Sequence, residues 1–139
     1  MRYLLAAIFF CTSIFFSACN NKAGERLPNF IIIYADDMGY GDLTMNGNPS
    51  ISTPRLDRMA GEGARLTNFY IPACVCTPSR AALLTACYPK RVSLHEHVLF
   101  PHSEHGINAG EELLPELLKE KEYATAIFGK WHLGHQEAF

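Results

Sequence analysis

The sequence predicts an α/β fold, a mostly parallel sheet with flanking helices. Two continuous apolar runs, Phe30 to Ala35 and Ala124 to Phe128, have the pattern of buried parallel strands. Between them lie segments with helical apolar spacing, two of which open on a Thr-Pro pair. The composition agrees with a globular domain. The chain has 139 residues, a formal net charge of -2 and 48% hydrophobic residues. A near-neutral chain lacks the clustered basic surface that nucleic acid requires, so no nucleic-acid partner is expected.

The N-terminus predicts export. Met1 and Arg2 precede an uncharged apolar stretch from Tyr3 to Phe16, then the small residues Ser17 and Ala18. This is the layout of a signal peptide over residues 1–18. The stretch is shorter than the roughly 20 apolar residues of a spanning helix. Phe16-Ser17-Ala18-Cys19 resembles a bacterial lipoprotein box, in which Cys19 would carry the lipid. Phe16 stands where Leu is usual, so plain secretory cleavage is the alternative. The expected location is the bacterial periplasm, free or as a membrane-anchored lipoprotein. Residues 19–28 are polar, end in Pro28 and predict a tether.

Each later element has a local reason. The apolar run 30–35 ends at Asp36-Asp37 and the Gly-punctuated loop Met38-Gly39-Tyr40-Gly41-Asp42. Asn46-Gly47 and Asn48-Pro49 predict turns across residues 43–53. Thr53-Pro54 predicts a capped helix to about Gly63, with Leu56, Met59 and Ala60 on one face. Arg65 to Ile71 suits a short strand. Thr77-Pro78 predicts a helix from Pro78 to about Cys87. Residues 88–110 hold Pro89, Pro101, His95, His97, His102 and His105, and predict an irregular loop with solvated histidines. Glu111 to Lys121 has Leu113, Leu114, Leu117 and Leu118 at core spacing, with Pro115 tolerated near its start.

Three clusters carry chemistry. Asp36 and Asp37 sit at the C-terminal end of a strand, where open α/β sheets place ligands. Adjacent carboxylates repel unless a cation relieves them, and oxygen donors favour Ca2+ or Mg2+. Cys76-Thr77-Pro78-Ser79-Arg80 places a thiol at a helix mouth, with a guanidinium one turn on that suits a tetrahedral oxyanion. Lys130 and His132 lie two apart, on one side of an extended segment. A Lys neutralises an anionic substrate and a His exchanges protons near pH 7. In an exported protein a disulfide is the default for Cys74, Cys76 and Cys87, yet three cysteines cannot all pair. The Cys-x-Cys spacing lacks the further Cys/His partners of a zinc site.

Together these residues resemble the sulfatase family. Cys76-Thr77-Pro78-Ser79-Arg80 matches its Cys-x-Pro-Ser-Arg signature, continued by Ala81-Ala82-Leu83-Leu84-Thr85. Asp36 to Asp42 resembles the N-terminal metal motif, and Gly129-Lys130-Trp131-His132-Leu133-Gly134 a third motif. The resemblance runs from about Pro28 to His135 and is strongest to the arylsulfatase A and N-acetylgalactosamine-6-sulfatase group. It implies an alkaline-phosphatase-like sulfatase fold and hydrolysis of sulfate esters. Cys76 would become Cα-formylglycine, made by a formylglycine-generating maturation enzyme. Asp36, Asp37 and the modified Cys76 would hold Ca2+, with Mg2+ as the alternative. Arg80 would orient the formylglycine, Lys130 bind sulfate and His132 act as an acid/base partner. The substrate would be a sulfated small molecule or glycan.

Two departures stand out. Ala86 replaces the usual Gly and Cys87 a frequent Arg. The family's downstream metal and sulfate ligands are also missing, which implies that residues 29–139 are a truncated N-terminal part of the catalytic domain, inactive alone. Phosphonate or phosphate ester hydrolysis, and a non-catalytic lipoprotein that binds sulfated glycan, are the alternatives.

Overall fold

A computed structural model describes residues 26–137 and 139. The predicted signal peptide, Cys19 and most of the predicted tether lie outside the described residues. No helix among those described is long and apolar enough to cross a membrane. The chain divides into two units, residues 1–35 and 36–139.

In the first unit, residues 26–35 run without helix or strand, and Ile31 and Ile33 are more than four-fifths exposed. In the second, the segments predicted as strands at Arg65 to Ile71 and Ala124 to Phe128 are likewise irregular and exposed. Among the described residues no strand forms, so the predicted sheet is absent there. The physical reason is that a parallel strand takes its hydrogen bonds and its burial from neighbours, which its own sequence cannot supply.

Among the described residues, three α-helices form in the second unit, after two 3-10 turns at Tyr40–Asp42 and Thr44–Asn46. Helix α1 spans Pro54–Glu62 as predicted, with Pro at its first position and Gly63 closing it through an N–H bond to the Met59 carbonyl. Thr53 is the cap residue, but its hydroxyl takes no helix N–H. Its hydroxyl donates instead to Asp57 Oδ1 at 3.2 Å and bonds the Thr44 hydroxyl, stitching the preceding loop. The predicted face of α1 is not covered, and Met59 is 59% exposed.

Helix α2 spans Cys76–Thr85, two residues earlier than predicted, with Val75 as its cap. Thr77 is therefore inside the first turn, and Pro78 sits there without breaking an internal bond. The helix ends at Ala86, held in the left-handed conformation at φ 53° and ψ 23°. An alanine there carries a strain of about 1–2 kcal/mol that a glycine lacks. Glycine costs part of this back in unfolded-chain entropy. Ala86→Gly is therefore expected to stabilise the chain by about 0.5–1 kcal/mol, read as a higher urea midpoint. A lower midpoint would show that the helix end is not under strain.

Helix α3 spans Leu114–Lys119, shorter than the predicted 111–121. Asn108 explains the late start. Its side chain and carbonyl accept from Gly110 N and Glu111 N, turning the chain where the helix was expected. The early stop follows from Glu122, whose φ of 64° closes the end with Tyr123 N bonded to Leu118 O.

The core is small and comes mostly from the loop after α2. Val92, Leu94, Leu99 and Ile107 pack with Ala81 and Leu133, each at most 5% exposed. Leu84, Cys87, Leu113 and Trp131 cover this cluster. Ile107 N donates to Leu133 O at 2.7 Å, fastening the loop to the segment that carries Lys130 and His132. The four histidines of the loop are exposed.

Candidate active site

One carboxylate organises the site. Asp36 Oδ2 accepts from Lys130 Nζ at 3.0 Å, and Asp36 Oδ1 accepts from Arg80 Nη2 at 3.3 Å. Arg80 Nη1 donates to the Lys130 carbonyl. The guanidinium is held from two sides and its side chain is only 12% exposed. These three residues come from positions 36, 80 and 130 of the chain, brought together by a helix and two loops.

The electrostatics follow from this geometry. The Lys130 hydrogen bond, with Arg80 adding to it, holds the Asp36 carboxyl below the usual carboxylate range. Asp36 in turn raises the Lys130 ammonium above its usual value, and the Cys76 thiol beside Lys130 acts in the same direction. The carboxylate's contribution to stability is present above the usual carboxylate range and is lost as pH falls through its lowered pKa. The ammonium's contribution is present below the usual lysine value and is lost as pH rises through its raised pKa. Both charges persist across the neutral range. In metal-free buffer, Lys130→Met is expected to move the Asp36 titration back toward the ordinary carboxylate value, followed by carboxyl 13C shifts. An unmoved titration would break the link between the two residues.

Cys76 opens α2 and is half-buried; Cys74, Cys76 and Cys87 are all free thiols, so the default disulfide does not form. His132 is tied elsewhere. Its Nε2 lies 2.6 Å from the Leu99 carbonyl, and its backbone adopts φ 60°. Its Nδ1 is buried and makes no hydrogen bond among the described residues. Asp37 also has a positive φ, 58°, and is exposed, with no ion pair among the described residues. The structure thus joins Asp36, Arg80, Lys130 and Cys76, while His132 reaches the start of α2 through Thr77.

Thr77 and Leu99 were not legible as site residues. The Thr77 hydroxyl donates to His132 O at 2.9 Å and accepts from Leu99 N at 3.1 Å. In the sequence a Thr before Pro signals a cap, and nothing marks a partner 55 residues away.

The carboxylates fit a hard cation in kind but not in number. Ca2+ takes six to eight oxygen ligands. Among the described residues no three His, Cys, Asp or Glu side chains group as a metal cage. Asp36 is also engaged by two cations of the chain itself.

Comparison with known proteins gives the relationship. The sulfatase family model matches residues 28–139. Arylsulfatase A of Bos taurus is 52% identical over 112 residues, covering 81% of this chain and 22% of that protein. N-acetylgalactosamine-6-sulfatase of Mus musculus is 48% identical over 119 residues, covering 81% of this chain and 23% of that protein. A solved structure from work on glycosaminoglycan metabolism by Bacteroides thetaiotaomicron superposes with a TM-score of 0.71 at 45% identity. It covers 77% of this chain and 22% of that one. The chain thus spans less than a quarter of the length of each.

Proposed function

The chain belongs to the sulfatase family, and on that premise we propose that it provides the nucleophile end of a site that hydrolyses sulfate esters. One observation carries this reading: Arg80 and Lys130 converge on one carboxylate at the mouth of the helix that begins with Cys76. Two cations beside a helix N-terminus suit a tetrahedral dianion or its monoester.

The residues take these roles. Cys76 is the position converted to formylglycine, whose hydrated aldehyde supplies an attacking oxygen and a second hydroxyl for sulfate release. Arg80, fixed by Asp36 and the Lys130 carbonyl, orients the group at position 76. Lys130 holds sulfate oxygens. His132 holds or moves a proton at Nδ1, the ring nitrogen that Leu99 does not engage. Asp36 and Asp37 offer two carboxylates toward Ca2+, with Mg2+ as the alternative, and the modified Cys76 adds an oxygen.

The described residues supply only part of that ligand set and leave two apolar runs exposed where a sheet was expected. We therefore propose that the 139 residues work as part of a larger α/β catalytic domain, whose parallel sheet these runs join. Alone, they are expected to turn over no aryl sulfate. The substrate is a sulfated small molecule or glycan, the maturation partner a formylglycine-generating enzyme, and the setting the periplasm, with Cys19 as a lipid anchor.

Intact mass of the exported protein tests the reading. Conversion of Cys76 is expected to lower the mass by about 18 Da, placed on the peptide containing Pro78. An unmodified thiol in protein made alongside the maturation enzyme would instead favour a non-catalytic glycan-binding lipoprotein. Preference for phosphate or phosphonate over sulfate esters would redirect the substrate class.

A further inference from the structure

We infer that Thr77 is a positioning residue that fixes the His132 imidazole in a single tautomer. The inference deepens the role of His132 proposed above and rests on it. Three hydrogen bonds link three residues in a closed ring. Leu99 N–H donates to the Thr77 hydroxyl, and that hydroxyl donates to the His132 carbonyl. The His132 ring returns to the Leu99 carbonyl at 2.6 Å, closing the ring on the residue where it began.

The chemistry of the donors fixes the protonation. A carbonyl oxygen only accepts, so the His132 nitrogen facing it carries the hydrogen. The neutral ring is then protonated at Nε2 and leaves a lone pair at Nδ1. That atom is buried and without a partner among the described residues, as a group kept available for a reacting proton would be. His135 approaches the same carbonyl at 3.4 Å and meets the His132 ring edge-on, limiting its rotation.

Thr77 is suited to hold this arrangement. It is fully buried, and its hydroxyl donates its only hydrogen while accepting one bond. The backbone of His132 is in the left-handed region, which an L-residue adopts only when its surroundings impose it. The bond from Thr77 to the His132 carbonyl is one such constraint. The next residue N-terminal to Thr77 is Cys76, so one helical turn carries both the nucleophile position and the anchor of its acid/base partner.

The test is the 15N signature of the His132 ring in the full chain, read by long-range 1H–15N correlation at neutral pH. The wild type is expected to show the Nε2–H tautomer. Thr77→Ser keeps the hydroxyl and is expected to keep the signature. Thr77→Val removes it and is expected to give mixed tautomers. A wild-type ring protonated at Nδ1, or a Thr77→Val ring identical to wild type, overturns the inference. Should Thr77→Val fail to fold, Thr77→Ser decides: an unchanged ring supports the inference and a changed one overturns it. The readout needs no turnover. The expected tautomer in a protein whose Cys76 stays unconverted would leave the positioning by Thr77 standing and remove the catalytic reading alone.

Discussion

Leu99→Ala is expected to cost about 3 kcal/mol of stability, the middle of the range for a buried leucine cut to alanine. Leu99 is 1% exposed and lies in a core of six buried apolar residues. A core this small has few neighbours able to close over the vacated volume, so the cavity contribution adds to the lost transfer free energy. Small domains hold only about 5–15 kcal/mol in total, so the loss is a large share of the margin. The effect should also reach the site, since the Leu99 backbone binds both Thr77 and His132. Ile31→Ala is the control. Ile31 is 86% exposed, and its truncation should stay within about 0.5 kcal/mol. Urea unfolding of the two variants decides: equal losses would mean that the core is not where the structure puts it.

The contrast between these two positions explains what the sequence discloses. Ile31 lies in the most apolar run after residue 28 and predicts a core strand, yet its burial depends on partners that no local pattern encodes. Val92 and Leu94 lie two apart, but Leu99 and Ile107 follow at wider and unequal intervals, so no strand or helix period runs through these core residues. They sit in a loop, and their burial follows from the tertiary path between α2 and Leu133. Helices were legible in existence and less so in extent. Leu113, Leu114, Leu117 and Leu118 marked α3, whereas Asn108 and Glu122 trimmed it by turn chemistry at each end.

The candidate site stands out in the sequence for a different reason. Asp36, Cys76, Arg80 and Lys130 are polar residues at the ends of apolar or helical segments, where folding has no use for them in packing. The sequence named them, and the structure brings them together. Asp37 and His132 were named as well, but the structure gives them other surroundings. Thr77 escaped because a capping signal and a tertiary hydrogen bond use the same hydroxyl, and only the fold decides between them.

The largest functional effect is expected at Cys76. Under the proposed function, Cys76→Ala should lower kcat on an aryl sulfate by on the order of 10⁵-fold in the larger catalytic domain, the scale of losing a covalent nucleophile. No neighbouring group replaces it. Cys74 is exposed and precedes the helix, and Cys87 lies beyond its far end against the core. Lys130 and Arg80 would remain, with Asp36 still between them, so anion binding should survive. The expected result is therefore a collapse in kcat with a much smaller change in sulfate inhibition. A structural role predicts the reverse pattern: losing the Cys76 side chain beside Lys130 would disturb the ammonium, weaken anion binding and spare kcat to within a few-fold. Because alanine is a strong helix former, α2 itself should persist in the variant, and circular dichroism would confirm that lost turnover is not lost fold.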